Sequence, residues 1–199
     1  MISEKKGEGC ATPAEMQVWQ RLREGSMDAL SFFYQQNFSR LLAYGRRISG
    51  CAELAEDCIQ DLFYKIWNKR TNLPEIHSSQ GYLFQSYRRL LSDRLKETTR
   101  RSELAAPGEE TSILSMQDLI IHDEIDSERH EKITRGIASL SKKQKEIIYL
   151  RFYQNLSYDE IAGMLEINPQ SIRNSICTSL KFLRKILTLG IVACLKMIA

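Results

Sequence analysis

The chain has 199 residues, 43% of them hydrophobic, and a formal net charge of +3 at pH 7. This length allows one ordinary domain or two small ones. The small net charge means that any surface for nucleic acid must come from local clustering of basic residues. The five cysteines contain no CxxC pair, and the three histidines are not spaced as metal ligands near them. We therefore expect no metal, no cofactor and no disulfide framework.

Neither end of the chain predicts a membrane protein. The start, MISEKKGEGC, lacks the apolar stretch of a signal peptide. The apolar run from Leu187 to Ala199 is too short to span a bilayer and contains Lys196. We expect a cytoplasmic protein in which this run extends the last helix, with a partner-binding or membrane-surface role as the alternative.

The N-terminal half carries the start and stop signals of helices. Thr12, Pro13 and Glu15 form a capped start, Gly25 is a stop, and Ser26 is a second start. Four helices are predicted, at about Pro13 to Gly25, Ser26 to Gly50, Ala52 to Arg70 and Gly81 to Arg101. No alternating run of β-branched residues between hairpin turns occurs, so strands are not expected.

The third predicted helix has an acidic outer face made of Glu53, Glu56, Asp57, Gln60 and Asp61. Acids near a helix N-terminus are stabilised by the macrodipole, so simple solvation explains this face. A functional role would require a basic partner.

The fourth predicted helix mixes aromatic and basic side chains. Its aromatic residues are Tyr82, Phe84 and Tyr87, and its bases are Arg88, Arg89, Arg94, Lys96, Arg100 and Arg101. Rings that stack on bases and cations that hold phosphates are suited to a single strand of nucleic acid. The alternative is that Leu83, Tyr87, Leu90, Leu91 and Leu95 are core and that the arginines only confer solubility.

An acidic segment follows from about Ser102 to Ser127, and the sequence Ala-Ala-Pro-Gly at residues 105–108 interrupts any helix there. We interpret it as a linker between two helical bundles. The fold class predicted is therefore all-α, with two small helical domains joined by an acidic linker.

The residues from Leu156 to Leu187 predict a helix-turn-helix. Ser157 and Glu160 form a capping box, and Asn168 with Pro169 starts a second helix. In that helix Ile172, Ile176, Leu180 and Leu183 are expected to face inward. The opposite face carries Gln170, Ser171, Arg173, Asn174 and Thr178, which are able to contact bases or phosphates in a major groove. An ordinary helical hairpin with a basic face is the alternative.

The order of four features along the chain resembles that of an extracytoplasmic-function sigma factor. These features are the acidic AEDCIQDLFYKIW helix, the aromatic and basic helix, the acidic linker and the LSYDEIAGMLEI helix-turn-helix. The resemblance covers about Glu15 to Leu187. It implies binding to core RNA polymerase through the β′ clamp helices and the β flap, selection of promoter DNA, and promoter opening without catalysis or a small-molecule substrate. The implied divisions are a flexible N-terminus at 1–13, σ2 at 14–101, a linker at 102–127, σ4 at 128–187 and an apolar tail at 188–199.

The resemblance also implies roles for individual residues. Those implied for polymerase binding are Glu56, Asp57, Gln60 and Asp61. Those implied for the single-stranded minus-ten element are Asn72, His77, Tyr82, Arg88, Arg89 and Arg94, with a specificity loop from Asn72 to Ser79 that receives a flipped base. Those implied for the minus-thirty-five element in the major groove are Gln170, Ser171, Arg173, Asn174, Thr178 and Lys181.

Several positions depart from the family pattern. Arg89 stands where Asn is usual, Ser175 and Thr178 where Arg is frequent, Glu166 where a turn glycine is common, and Ser141 where proline is common. Fewer bases on the recognition helix predict weaker phosphate attraction.

Two further expectations concern partners and rival functions. The family resemblance implies a membrane-associated anti-sigma factor as an inhibitor. The alternatives to a sigma factor are a stand-alone helix-turn-helix regulator and, more distantly, a helical interaction module, neither of which requires the acidic third helix to hold polymerase.

Overall fold

A computed structural model describes residues 12–103 and 136–198, with only the backbone described for 101–103 and 187–198. All regular structure in these ranges is helical, which confirms the predicted all-α class. The chain divides into two compact units close to residue 114. The predicted N-terminal segment up to residue 11 and the predicted acidic linker from residue 104 lie outside the described residues.

The first unit contains helices α1 (Pro13–Arg23), α2 (Met27–Ser49), α3 (Ala52–Asn68) and α4 (Ser79–Glu103). The predicted capping box is present, since the Glu15 N–H donates to the Thr12 hydroxyl over 3.2 Å and the Thr12 N–H donates to the Glu15 carboxylate over 2.9 Å. Ser26 caps α2, and Gly50 ends it with φ +70°. Local side-chain chemistry therefore sets most of these boundaries, as predicted.

Two boundaries around the loop before α4 differ from the prediction. α3 ends at Asn68 rather than Arg70, and a 3-10 turn follows at Arg70–Asn72. Leu73 is extended, at φ −65° and ψ 137°, because the residue before a proline disfavours helical geometry. α4 begins two residues early because the Ser78 hydroxyl accepts from the Gly81 N–H over 3.0 Å and so caps the helix.

The core of the first unit forms where α2, α3 and α4 meet. Its largest fully buried side chains are Leu22, Phe33, Leu41, Tyr44, Ile59, Leu62, Leu83, Phe84, Tyr87 and Leu91. Phe84 and Tyr87 are both 0% exposed, so they do not stack on nucleic acid, and the core interpretation of Tyr87 is confirmed. Leu90 and Leu95, which the same alternative interpretation assigned to the core, are only half-buried.

Gly45 allows the closest approach in this core. A Cβ at Gly45 would overlap the Tyr87 hydroxyl and lie 2.8 Å from the Ala55 Cβ. The Tyr87 hydroxyl passes through this space and donates to the Ala55 carbonyl over 2.9 Å. Burial raises the pKa of Tyr87 far above its usual value, so the phenol stays protonated and remains a donor. One buried hydrogen bond thus joins α4 to the first turn of α3.

The second unit contains a helical turn at residues 136–138 followed by α5 (Lys142–Phe152), most of α6 (Tyr158–Leu165) and α7 (Pro169–Ile198). Ser141, where proline is common in the family, makes a capping box with Gln144. The predicted Ser157 capping box is present, and the Asn168 side chain accepts from the Gln170 N–H over 2.7 Å. α7 continues to Ile198, which confirms that the apolar run extends the last helix.

The prediction that Leu180 faces inward is wrong. Leu180 is 44% exposed, whereas Ser179 is 0% exposed. Successive positions on a helix differ by about 100°, so the buried stripe through Ile172 and Ile176 continues at Ser179 and Leu183. Leu183 contacts the helical turn at Gly136, where an added Cβ would lie 2.9 Å from its Cδ2. The Gly136 turn thus packs against α7 at Leu183, one turn beyond the buried Ser179.

Glu166 ends α6 in the left-handed conformation, at φ 56° and ψ 43°. A residue with a Cβ in this region destabilises the folded state by roughly 1–2 kcal/mol. Glycine removes this strain, but part of the gain is lost because glycine has more conformational freedom in the unfolded chain. Glu166→Gly is therefore expected to raise the free energy of unfolding of the second unit by about 1 kcal/mol, measured by scanning calorimetry. Glu166→Ala retains the Cβ and is the control; equal stability of the two variants would contradict the strain argument.

The remaining expectations concern thiols, metals and membranes. Cys51, Cys58 and Cys177 are free thiols, and burial raises the pKa of Cys58. Among the side chains in the described ranges, no group of three potential ligands could hold a metal ion. No helix in the described part of the chain combines the length and the apolar character needed to cross a membrane.

Candidate functional site

The acidic face lies on the outer side of α3. Glu56, Asp57 and Gln60 are exposed, and Asp61 is half-buried at the edge nearest α4. Its Oδ2 lies 2.6 Å from Nη2 of Arg94, and the two side chains are 36% and 52% exposed. The hydrogen bond and the charge of Asp61 raise the pKa of Arg94. Two residues predicted for different partners, polymerase and promoter DNA, are therefore paired with each other.

A cavity of about 230 Å³ lies between α3, the start of the loop and α4. Its apolar wall consists of Leu62, Ile66, Leu73 and Leu90, and its polar residues are Lys65, Lys69, Tyr82, Ser86, Arg89 and Asp93. The cavity thus combines an apolar wall with three cations, one aromatic ring and one carboxylate. This combination is suited to binding a flat group with polar edges.

The structure brings together only part of the predicted minus-ten set. Tyr82 and Arg89 line the cavity, whereas Asn72 and His77 are exposed on the preceding segment and do not line it. Arg88 is half-buried outside the cavity wall, and Arg94 is paired with Asp61.

Sequence reasoning missed the role of Trp19 in α1. Its indole N–H donates to the Pro74 carbonyl over 3.1 Å, and its ring meets Tyr82 edge-on with centroids 5.3 Å apart. Trp19 is 3% exposed. It holds both the loop and one wall residue of the cavity, a long-range relation that no local sequence pattern contains.

The exposed face of α7 carries the predicted minus-thirty-five set. These residues are Gln170, Ser171, Arg173, Asn174, Thr178 and Lys181, and all of them are exposed. The Gln170 amide donates to the Asn174 Oδ1 over 3.1 Å, so the two side chains are oriented together. Cys177 is also exposed on this face and was not among the predicted residues.

Comparison with known proteins separates the chain into two matched regions. Sigma-70 region 2 matches residues 33–101, and sigma-70 region 4 matches residues 130–183. The ECF RNA polymerase sigma factor SigK of Mycolicibacterium vanbaalenii is 25% identical over 166 residues, which are 80% of this chain and 82% of that protein. SigK of Mycobacterium ulcerans is 20% identical over 168 residues, which are 84% of this chain and 90% of that protein.

The chain belongs to the extracytoplasmic-function sigma factors of the sigma-70 family. This sigma factor directs RNA polymerase to promoters in transcription initiation, as the sequence predicted. The matched region 2 contains α3 and the cavity, and the matched region 4 contains α6 and the predicted reading face of α7. A stand-alone regulator would not account for the region 2 match.

Solved structures support the fold of this sigma factor. CnrH, in complex with the cytosolic domain of CnrY, is similar with a TM-score of 0.59 and 14% identity over 89% of this chain and 99% of that one. The sigma factor RpoE of Bartonella quintana, in complex with the anti-sigma factor NepR, gives a TM-score of 0.56 and 20% identity over 78% of this chain and 96% of that one. The all-α arrangement therefore recurs in sigma factors of distant sequence.

Proposed function

We propose that three surfaces of this sigma factor have separate roles in transcription initiation. The acidic face of α3 binds the basic clamp helices of the polymerase β′ subunit. The cavity and the loop from Asn72 to Ser79 receive one unpaired base of the minus-ten element. The exposed face of α7 reads the minus-thirty-five element.

The observation that carries this proposal is the position of α3. Its outer face presents Glu56, Asp57 and Gln60, while Leu62, Lys65, Ile66 and Lys69 form one wall of the cavity. A single rigid helix thus joins the polymerase surface to the promoter-strand surface. Strand capture would then occur at a fixed position relative to the enzyme.

The cavity has the chemistry to hold a flipped base. Extracting a base from its stack costs a few kcal/mol, and one aromatic contact returns about 1–3 kcal/mol. Tyr82 supplies the ring, and Lys65, Lys69 and Arg89 supply donors for carbonyl or phosphate oxygens. Arg89, where the family usually has Asn, adds a fixed positive charge at this cavity.

The recognition helix is adapted to reading DNA while σ2 is already bound to polymerase. It presents amides and hydroxyls with few cations, so its own attraction to phosphates is weak. Attachment through σ2 raises the effective concentration of σ4 at the promoter and offsets that weakness. Arg173 is the cation best placed to contact base edges.

The domain boundaries belong to the same proposal: σ2 at 14–101, a linker at 102–127, σ4 at 128–187 and a C-terminal tail at 188–199. We place the protein in the cytoplasm, acting without catalysis of its own and with no cofactor. RpoE was solved with the anti-sigma factor NepR bound, and CnrH with the cytosolic domain of CnrY bound. We accordingly propose a membrane-associated anti-sigma factor that covers the polymerase-binding surface.

Exposed apolar side chains suit such an inhibitor. Tyr34 and Tyr64 are 36% and 68% exposed in the first unit, and Phe152 and Phe182 are 50% and 39% exposed in the second. An inhibitor that buried these rings would gain affinity from aromatic contact area.

Run-off transcription on a genomic promoter library tests the proposal. Purified core polymerase with this protein is expected to start at discrete new sites that share two spaced motifs, and core polymerase alone is not. Direct binding to duplex fragments without any polymerase-dependent initiation would contradict the proposal and favour the stand-alone regulator.

A further inference from the structure

Tyr158, the first residue of α6, lies between two arginines of the second unit. The guanidinium carbon of Arg151 is 4.7 Å from the centroid of the Tyr158 ring, and that of Arg173 is 5.3 Å from it. The face of an aromatic ring attracts cations at these distances. Tyr158 is half-buried, and Arg173 is exposed.

The ring has a rigid support on the protein side. Arg151 lies in the last turn of α5, and its Nη1 donates to the Leu156 carbonyl over 3.0 Å. Leu156 is 1% exposed, and its N–H donates to the Leu150 carbonyl over 3.1 Å. The Ser157 capping box fixes the backbone directly before Tyr158. The backbone that carries the ring and the Arg151 side chain against it are therefore both held by hydrogen bonds that do not depend on DNA.

The Arg173 side chain, in contrast to the Tyr158 ring, is exposed to solvent. It extends from the exposed face of α7, and a free arginine side chain samples many rotamers. Contact with the ring restricts those rotamers before DNA arrives. Preorganisation of this kind increases affinity by reducing the entropy lost on binding.

We propose that Tyr158 is a positioning residue for reading the minus-thirty-five element, acting through Arg173. This inference rests on the proposed role of α7 and extends it to a residue of the preceding helix. The planar guanidinium, held against the ring, is directed along the reading face to make a two-pronged contact with a guanine edge.

A double-mutant cycle with the full chain and core polymerase tests the inference. The variants are Tyr158→Leu, Tyr158→Phe, Arg173→Ala and the Tyr158→Leu/Arg173→Ala pair. The DNA probe is the promoter found by run-off transcription, with each base pair of the minus-thirty-five element substituted in turn. Calorimetry of each variant verifies that the second unit remains folded.

We expect Tyr158→Phe to bind like the unmodified protein, because the ring is retained. Tyr158→Leu is expected to weaken promoter binding about two- to fivefold, the range for one exposed cation–π contact. It should also reduce discrimination at the same base pair that Arg173→Ala affects. In the Arg173→Ala background the leucine substitution should have no further effect.

Three results would overturn the positioning role. Tyr158→Leu could weaken all promoter variants equally, it could act as strongly in the Arg173→Ala background, or Tyr158→Phe could be as damaging as Tyr158→Leu. If Arg173→Ala itself leaves promoter selection unchanged, the proposed reading by Arg173 fails and this inference fails with it. A strong Arg173→Ala effect without coupling to Tyr158 overturns the positioning role alone.

Discussion

Asp61→Arg is expected to abolish stable binding of core polymerase, with an affinity loss of about 100-fold or more. Reversing a charge at a close interfacial pair removes an attraction and adds a repulsion, and even truncation of such a pair costs 2–5 kcal/mol or more. Fluorescence anisotropy of the labelled protein with core polymerase measures the loss. Glu24→Arg, an equal charge change at an exposed site at the end of α1, is the control.

The ion pair with Arg94 makes a second control necessary. Asp61→Arg also places two cations side by side, because Arg94 Nη2 lies 2.6 Å from the native Asp61 carboxylate. The exchanged pair Asp61→Arg/Arg94→Asp restores the internal attraction and leaves a cation on the proposed polymerase-binding face. We expect this exchange to bind polymerase as poorly as Asp61→Arg alone. Restored binding would show that Asp61 acts within σ2 rather than on polymerase.

Gly45→Ala is expected to destabilise σ2 by about 2 kcal/mol. Overpacking a close-packed core typically costs 1–3 kcal/mol, and the better helix propensity of alanine, worth up to about 1 kcal/mol, offsets only part of the overlap with the Tyr87 hydroxyl. Both tryptophans, Trp19 and Trp67, lie in this unit, so their fluorescence during urea unfolding reports its stability.

Tyr87→Phe separates the two causes of this loss. Alone, it removes the hydrogen bond to the Ala55 carbonyl and should cost about 1 kcal/mol. Combined with Gly45→Ala it relieves the worst overlap, so the double variant should lose less than the sum of the two single losses. A Gly45→Ala protein as stable as the unmodified one would show that the three helices shift apart at little cost.

Structural features that depend on a few neighbouring residues were predicted correctly from the sequence. Ser157 with Glu160, and Asn168 with Pro169, locate both helices of the helix-turn-helix because caps act within one turn. The acidic face of α3 was likewise predictable, since helical periodicity alone separates Glu56 and Asp57 from Ile59.

Features that depend on contacts between helices were not predictable. Ser179 rather than Leu180 is buried on α7, and the helical turn at Gly136 contacts the same helix at Leu183. The Asp61–Arg94 pair joins residues 33 positions apart, for which the family resemblance implied different partners. The cavity likewise combines side chains of α3, the following loop and α4.

The hydrogen bond from Trp19 to the Pro74 carbonyl limits how far σ2 can be truncated at its N-terminal end. The region 2 match begins at residue 33, after α1 has ended. A fragment trimmed to that boundary would keep every carboxylate of the acidic face and every residue lining the cavity. It would nevertheless lose the indole that tethers the loop and abuts Tyr82. We therefore expect the smallest fragment that binds a promoter strand to be larger than the portion that carries the proposed contact residues.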